Sequence, residues 1–278
     1  MKIAIASGKG GTGKTTLATA LALAATGPVQ YLDCDVEEPN GHLFLRPQLD
    51  NSEQCAVIVP QINEELCTYC GQCRDICRFS AITQFGQTVM TFPEMCHSCL
   101  GCFRVCEEKA ISEQKREIGI LESGRAGDIL FTHGRMRVGE AMAVPLLNAV
   151  KNQAQDDHLV ILDAPPGTSC PFVETVLNCD HVLLITEPTP FGLHDMALAA
   201  TALNNFNIPY GVILNRAGLG DDRVQRWCEE HDVPLLLEIP FDRRIAECYA
   251  RGGSLLESIP ELTHQLRELL DTLQEVNA

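Results

Sequence analysis

Short apolar runs alternate with longer helix-like stretches along most of this chain. The apolar runs that predict strands are Lys2–Ala6, Val29–Asp33, Leu159–Leu162, Val182–Ile185, Gly211–Leu214 and Leu235–Ile239. The stretches that predict helices lie at or near Leu17–Ala25, Val138–Lys151, Leu193–Asn205, Asp222–His231 and Arg243–Ala250. This alternation predicts an α/β fold with a mostly parallel sheet and helices on both of its faces.

The alternation stops near residue 60 and resumes near residue 117. The stretch between is rich in cysteine and repeats itself, because the spacing of four cysteines from Cys67 recurs from Cys96, and Ala81-Ile82 recurs as Ala110-Ile111. Such a duplication is typical of a small pseudo-symmetric domain inserted into a larger one. We therefore predict an inserted α+β domain over residues 61–112 and one larger domain formed by residues 1–60 and 113–278.

The C-terminal run Ile259–Val276 has the periodicity of an amphipathic helix. Its apolar face carries Leu262, Leu266, Leu269, Leu270 and Leu273. Its polar face is mostly acidic, the wrong sign for anionic lipid. Packing on the domain is therefore favoured over docking on a membrane.

Charge and composition exclude some partners. The chain has 37 Asp and Glu against 21 Lys and Arg, a formal net charge of -16. Nucleic-acid binding through phosphates requires clustered basic residues, and the sequence has no such stripe. No apolar run is long enough to span a bilayer, and the N-terminus does not resemble a signal peptide. We expect a soluble, cytoplasmic protein without stable membrane insertion, in which the 14 cysteines serve metal binding more than disulfides.

A phosphate-binding loop follows the first predicted strand. The segment Gly8–Thr15 fits the pattern G-x-x-x-x-G-K-[ST] and leads directly into a predicted helix. Glycines allow successive backbone N–H groups to turn towards phosphates, and the helix N-terminus adds positive potential. Lys14 should reach the β- and γ-phosphates, and the Thr15 hydroxyl should ligate Mg²⁺. The predicted nucleotide-binding residues of this loop are Gly8, Lys9, Gly10, Gly11, Thr12, Gly13, Lys14, Thr15 and Thr16.

Lys9 narrows the class of phosphate-binding loop to which this segment is similar. With it, the segment has the K-G-G-x-G-K-T-T form of the deviant Walker A motif and resembles the MinD/ParA and nitrogenase-iron-protein class of P-loop ATPases. The resemblance implies an Mg²⁺-dependent ATPase that binds ATP and ADP, dimerises on ATP and hydrolyses slowly without a partner. It also implies that Lys9 reaches the nucleotide of the partner subunit and acts as an arginine finger does.

Other segments of the chain resemble motifs of the same class. Asp33-Cys34-Asp35 resembles its first switch, which implies that Asp33 lies near Mg²⁺ and that Asp35 orients the attacking water. Asp163 to Gly167 resembles Walker B followed by the second switch, with Asp163 holding Mg²⁺ through water and Gly167 sensing the γ-phosphate. The remaining matches, implied to read and cover the adenine, are Asn215, Arg216, Pro240 and Phe241.

The cysteine repeat indicates iron–sulfur chemistry. Each copy has the C-x2-C-x2-C-x3-C spacing of bacterial ferredoxins, and zinc is the competing interpretation because C-x2-C pairs also bind Zn²⁺. Proline usually follows the fourth cysteine in ferredoxins, whereas Arg78 and Glu107 stand there in this chain. In the two-cluster ferredoxin fold the last cysteine of each run serves the other cluster. The resemblance therefore implies one [4Fe-4S] cluster on Cys67, Cys70, Cys73 and Cys106, and a second on Cys96, Cys99, Cys102 and Cys77.

The two kinds of site in one chain suggest two functions. In the first, ATP binding and hydrolysis gate electron transfer through the clusters to a redox protein partner. In the second, the protein is a cluster carrier, an assembly factor or a positioning ATPase in which the clusters are structural or sensory. The resemblance leaves open a homodimer or a heterodimer with a paralogue.

Two further features of the sequence each have two interpretations. Cys170 follows Asp163 at the spacing of a cluster ligand in the nitrogenase iron protein, but a third, intersubunit metal site lacks an evident second cysteine, and Cys34 and Cys179 are unsupported candidates. His133, Arg135 and Arg137 form a small basic cluster. They either line a cleft between the insert and the ATPase core or lie in solvent.

Overall fold

The computed structural model describes residues 1–251 and 253–276. Within them the strands are β1 (Lys2–Ala6), β2 (Val29–Asp33), β3 (Gln48–Ile62), β4 (Ile82–Phe85), β5 (Thr88–Thr91), β6 (Ile111–Ala126), β7 (Ile129–Met136), β8 (Leu159–Asp163), β9 (His181–Thr186), β10 (Tyr210–Ala217) and β11 (Leu235–Pro240). The helices are α1 (Lys14–Ala24), α2 (Gly41–Leu45), α3 (Gln72–Ile76), α4 (Gly101–Val105), α5 (Val144–Lys151), α6 (Cys170–Val176), α7 (Pro190–Asn205), α8 (Arg223–Glu230), α9 (Arg243–Tyr249), α10 (Leu255–Ser258) and α11 (Leu262–Val276).

The described strands form one large sheet and one hairpin. The large sheet has the order β11–β10–β9–β1–β8–β2–β7–β6–β3, and β4 pairs with β5. Strands from β11 to β7 are parallel to one another, whereas β6 runs antiparallel to both β7 and β3. The predicted α/β fold with a mostly parallel sheet is confirmed.

Two apolar cores lie on opposite faces of the sheet, because successive side chains of a strand point to opposite sides. On β1, Ala4 belongs to one core and Ile3 and Ile5 belong to the other. The strands near the centre of the sheet are buried on both faces, which explains why β1, β8 and β9 appear in the sequence as continuous apolar runs.

The helix expected from Val138 begins six residues later, at Val144. Val138 is 99% exposed and lies before Pro145, which occupies the first turn of α5. A helix from Val138 would place Pro145 in its interior, where the proline ring clashes with the preceding turn, whereas the first turn of a helix tolerates proline. Pro145 therefore accounts for the later start of α5, which apolar periodicity alone does not indicate.

The C-terminal helix α11 packs on the domain, as expected. Its five leucines are buried in the core that also contains α1, and Arg267 donates a hydrogen bond from Nε to the carbonyl oxygen of Ala24 at 2.8 Å. None of the helices in residues 1–251 and 253–276 is long and apolar enough to cross a membrane.

Candidate functional site

The phosphate loop joins the carboxyl end of β1 to the start of α1. Gly13 has a φ of 99°, and a Cβ there would lie 2.6 Å from the side-chain nitrogen of Asn215. A Cβ on Gly8 would lie 2.1 Å from the carbonyl oxygen of Asp195. Both positions therefore require glycine, one for its backbone conformation and both for close packing. Lys14 follows at the first position of α1 and is only 7% exposed.

Three carboxylates, those of Asp33, Asp35 and Asp163, lie together at the same edge of the sheet, and the last two are close to Lys14. Asp33 ends β2 and Asp163 ends β8, and the two residues are direct partners in the parallel register. Asp33 accepts hydrogen bonds from the backbone N–H groups of Gly41 at 2.9 Å and Asp35 at 3.3 Å. These contacts fix the turn that leads from β2 towards α2.

Burial in this acidic group shifts several pKa values. Burial and the neighbouring Asp163 raise the pKa of Asp35 to about 7, and the same two causes raise that of Asp33. Burial raises the pKa of Asp163 and lowers that of Lys14, the latter against the attraction of Asp163 and Asp35. The carboxylates therefore favour a cation in their midst.

The donors of this edge suit a magnesium ion. The Asp163 carboxylate accepts a hydrogen bond from the Tyr31 hydroxyl on Oδ2 at 2.9 Å, while its Oδ1 is buried with no hydrogen-bond partner among the described residues. The Thr15 side chain lies beside the same carboxylate. Carboxylate and hydroxyl oxygens are the ligands that Mg²⁺ prefers, so the residues present fit the ion.

Glu187 is a site residue that the sequence analysis missed. It directly follows β9 and is 8% exposed. Its carboxylate lies 3.6 Å from the Lys9 ammonium and 3.0 Å from the Arg216 guanidinium. Glu187 and its two partners are far apart in the chain, so no local sequence motif predicts their contact. Glu187 could have been found from its place directly after an apolar strand, since ligand-binding groups of a parallel sheet follow the carboxyl ends of its strands.

Asn215 and Arg216 lie at the end of β10, near the phosphate loop. The Asn215 side chain donates a hydrogen bond to the carbonyl oxygen of Thr12 at 2.7 Å. Arg216 has a φ of 57° and donates its backbone N–H to Asn215 Oδ1 at 2.9 Å. Asn215 therefore links the loop to β10, and Arg216 is turned towards Glu187.

The segment after β11 lies at the same edge of the sheet. Pro240 pairs with Ala217, and the Phe241 backbone N–H donates to the Ala217 carbonyl at 3.0 Å. The Phe241 side chain is 52% exposed. An exposed aromatic ring beside β10 is available to cover a flat ligand group.

The segment after β8, which is predicted to be the second switch, contacts the residue that precedes the phosphate-binding loop. Gly167 has a φ of 90° and donates its backbone N–H to the carbonyl oxygen of Ser7 at 3.1 Å. Cys170 is exposed at the start of α6, whereas Cys34 is completely buried. Cys179 donates a hydrogen bond to Thr175, and burial raises the pKa of its thiol to about 12.

The eight clustered cysteines divide between two cavities. One cavity is lined by Cys67, Cys70, Cys73 and Cys106, and the other by Cys77, Cys96, Cys99 and Cys102. Each cavity thus takes three thiols from one run and the fourth from the other run. In the described residues, no three His, Cys, Asp or Glu side chains are grouped so as to hold a single metal ion.

The sequence repeat is also a structural repeat. Helices α3 and α4 occupy equivalent places in the two copies. Residues with positive φ recur at the same spacing, as Tyr69 with Ser98, Gly71 with Leu100, and Ser80 with Lys109. Left-handed conformations are uncommon for residues other than glycine, so their recurrence indicates that both copies have the same backbone path around their cysteines.

The basic residues that follow β6 do not form a single cluster. His133 is buried on β7 beside Glu122, and Arg135 lies 3.6 Å from the same carboxylate while remaining mostly exposed. Arg137 lies 4.0 Å from Glu140. His97 stacks on Phe79 with ring centroids 3.7 Å apart, next to the second cavity.

Comparison with known proteins identifies relatives of this chain. It is 34% identical to the uncharacterized protein MJ0578 of Methanocaldococcus jannaschii, over 99% of this chain and 97% of the relative. It is 28% identical to the cytosolic Fe-S cluster assembly factor Nubp2 homolog of Anopheles gambiae, over 57% of this chain and 67% of the relative.

Solved structures show the same fold. The septum site-determining protein MinD from Pyrococcus horikoshii, in complex with Mg-ADP, superposes with a TM-score of 0.60 at 21% identity. The alignment covers 100% of this chain and 98% of that protein. The family described as CbiA, the CobQ/CobB/MinD/ParA nucleotide binding domain, matches residues 3–255. This chain therefore belongs to the CobQ/CobB/MinD/ParA family of nucleotide-binding proteins.

Proposed function

We propose that this protein is an Mg²⁺-dependent ATPase that carries two [4Fe-4S] clusters and couples its nucleotide state to electron transfer. The observation that carries the proposal is the division of eight thiols between two four-cysteine cavities in a chain with a MinD/ParA nucleotide site. Family membership supports nucleotide binding, and the cavities support the clusters.

At the nucleotide site, this chain's own residues supply charge and position. Lys14 and the backbone N–H groups of the loop would hold the phosphates. Thr15, Asp33 and Asp163 would hold Mg²⁺, directly or through water. Asp35 would orient the attacking water, and Gly167 would respond to the γ-phosphate through the segment that now contacts Ser7.

Lys9 would act on the nucleotide of the other subunit in a dimer. Hydrolysis would be slow unless a partner protein is bound. In this structure the Lys9 ammonium lies beside Glu187 of its own chain, so reaching the nucleotide of another subunit requires it to leave that carboxylate. The adenine would be contacted at the ends of β10 and β11 by Asn215, Arg216, Pro240 and Phe241. The second subunit is either another copy of this chain or a paralogue.

At the cysteine cavities, the donor set fits two cubane clusters. Each thiolate of a [4Fe-4S] cluster ligates a different iron, so four thiols must surround a space. The Ala110 backbone N–H also donates to Cys106 Sγ at 3.2 Å, the kind of contact that tunes a cluster's potential. When bound, such clusters would supply one-electron chemistry for exchange with a redox protein partner.

A second candidate function is iron–sulfur cluster assembly or delivery, or positioning of a larger complex. The observation that favours it is the similarity to the Nubp2 homolog, whose name describes a cluster assembly factor. In this case the clusters would be cargo, structural elements or sensors. Zinc remains the alternative occupant of the cysteine sites.

One anaerobic preparation tests these alternatives. Iron and acid-labile sulfide at about eight of each per chain support two clusters, whereas stoichiometric zinc contradicts them. The clusters are then reduced, and their reoxidation by methyl viologen is followed with Mg·ATP, with Mg·ADP and without nucleotide. Reoxidation that depends on ATP supports electron transfer. Loss of iron to an apo-ferredoxin acceptor supports delivery instead.

A further inference from the structure

The cysteine-rich segment is attached to the sheet by two long strands. Strands β3 and β6 pair from Gln48 opposite Arg125 to Ile62 opposite Ile111, and the segment lies between their far ends. At the other end of β3, away from the cysteine-rich segment, α2 connects β3 to the turn at Asp33. Any displacement of α2 is therefore transmitted along the chain into one of these two strands.

A row of polar side chains crosses the sheet from β6 to the nucleotide site. Glu122 on β6 is the register partner of His133 on β7, His133 is the partner of Asp33 on β2, and Asp33 is the partner of Asp163 on β8. Residues directly opposite one another on neighbouring strands have their side chains on the same face. The row therefore runs from the second long strand to the proposed Mg²⁺ ligands.

Contacts connect the members of this row to α2. His133 is 4% exposed, and its Nε2 lies 3.1 Å from Glu122 Oε2. The His42 ring, at the start of α2, packs edge-on against the His133 ring with centroids 5.4 Å apart and an interplanar angle of 69°. The residue before it, Gly41, donates its backbone N–H to Asp33 Oδ2 at 2.9 Å.

We propose that His42 and His133 are positioning residues that couple the nucleotide site to the cysteine-rich segment. This inference rests on the proposed function. With nucleotide and Mg²⁺ bound, the Asp33 carboxylate would hold the Gly41 N–H differently, and α2 with the His42 ring would shift. His133 transmits that shift to Glu122 on β6, while β3 moves with α2. A change at the turn after Asp33 thus reaches both strands that hold the cysteine-rich segment, β3 and β6.

Thermodynamic linkage provides the test. If nucleotide changes the clusters' reduction potential, then reduction must change nucleotide affinity by the corresponding factor. The experiment measures the Kd of Mg·ADP for the oxidised and the dithionite-reduced holoprotein, and takes their ratio. In His133→Leu and His42→Leu we expect the ratio to move towards one by about threefold, within the usual range for residues that mediate coupling. The affinity of the oxidised protein should change by less than about twofold, because the two rings contact each other, Phe131 and Glu122, on the side of the row away from Gly8–Thr16.

Conservative variants separate positioning from a structural role. His133→Gln keeps a hydrogen-bonding nitrogen towards Glu122, and His42→Phe keeps an aromatic edge, so both should restore most of the ratio. His231→Leu is the matched control, since His231 also contacts a ring, that of Trp227, but lies at the end of α8, away from this row. If His133→Leu does not fold, Glu122→Gln is used instead. It removes the charge of the carboxylate that contacts His133 and changes the shape of the side chain little.

The outcomes separate the two claims. A wild-type ratio of one contradicts the proposed coupling function, and this inference with it. A wild-type ratio different from one that persists unchanged in the His133 and His42 variants overturns the inference alone. A parallel change in the nucleotide-dependent shift of the clusters' midpoint potential would confirm it by a second readout.

Discussion

The nucleotide edge and the cysteine-rich segment of this protein are stabilised in different ways. At the nucleotide edge, the strands carrying Asp33 and Asp163 are completely buried, between two large apolar cores. The segment between β3 and β6 has a small core of its own, formed by Ile82, Val89 and Cys102 with partly buried residues around it, and adds only Ala81 and Cys96 to one of the large cores. It also exposes Leu66, Ile76, Phe79, Phe85, Met90, Phe92 and Met95.

This contrast indicates what each region requires. A core of a few side chains cannot offset the conformational entropy of ordering some fifty residues, so small domains generally need metals or disulfides. The cysteine-rich segment should therefore depend on its clusters for order. The residues of the nucleotide edge should be ordered without nucleotide, and nucleotide binding should change their conformation.

Removing one cluster ligand should have the largest effect. Cys102→Ser replaces a thiol that both lines a cavity and belongs to the small core. We expect iron to fall from about eight atoms per chain to about four or fewer, and residues 61–112 to become sensitive to protease. Cys248→Ser is the control, because Cys248 lies outside the segment. Retained iron and protease resistance in Cys102→Ser would show that the segment is stable without that ligand.

Removing the Lys9 ammonium should abolish hydrolysis while sparing the clusters. In Lys9→Ala we expect the ATPase rate to fall about 1,000-fold, the lower range for loss of a residue that acts in trans. Binding of Mg·ADP to the monomer should change little. Lys2→Ala, on the surface beside Asp156, is the control in steady-state assays. An unchanged rate would exclude a catalytic role for Lys9.

Removing Lys14 should weaken nucleotide binding itself. Its ammonium lies near Asp35 and Asp163, and Lys14→Ala would leave bound phosphates without this buried cation. The expected loss is about 100-fold in affinity for Mg·ADP, measured by calorimetry. Iron content should remain at the wild-type value, because Lys14 begins α1, whose core lies on the face of the sheet opposite the core that Ala81 and Cys96 join. A parallel loss of iron would contradict this independence of the two sites.

The pH dependence of stability should give the smallest effect. The pKa of Asp35 is about 7 in the folded protein, so the folded state retains a proton that the unfolded chain releases near pH 4. Stability of the nucleotide-free protein should therefore fall as pH rises from about 4 to about 7. Each unit of pKa difference contributes at most about 1.4 kcal/mol, and solvent screening at the half-buried Asp35 makes the contribution smaller than this ceiling. In Asp35→Asn this part of the urea-unfolding profile should flatten, and a slope equal to wild type would exclude Asp35 as its source.

Local patterns were sufficient to predict the central sheet and the phosphate loop. A fully buried parallel strand must be continuously apolar, and glycines must follow it where the chain turns around phosphates, so β1 and Gly8–Thr15 are recognisable in the sequence alone. The resemblance to two-cluster ferredoxins predicts which thiols lie together, and each cavity is lined by one of these groups of four cysteines. Their role as cluster ligands stays a prediction.

Long-range features were not predictable in the same way. The near half of β3 is exposed and polar, so it lacks the apolar signature of a strand, and its length comes from pairing with β6. The contact of Lys9 with Glu187 and the row from Glu122 to Asp163 exist only because distant strands are neighbours in the sheet. Such contacts follow from topology and register, which a single sequence does not specify.

The most direct test of the central claim is the electron paramagnetic resonance spectrum of the anaerobically prepared, reduced protein before and after addition of Mg·ATP. Coupling between the two regions predicts signals of reduced [4Fe-4S] clusters whose shape or intensity changes with ATP, and a smaller change or none in Lys14→Ala. Cluster signals that are identical with and without bound Mg·ATP would contradict the account.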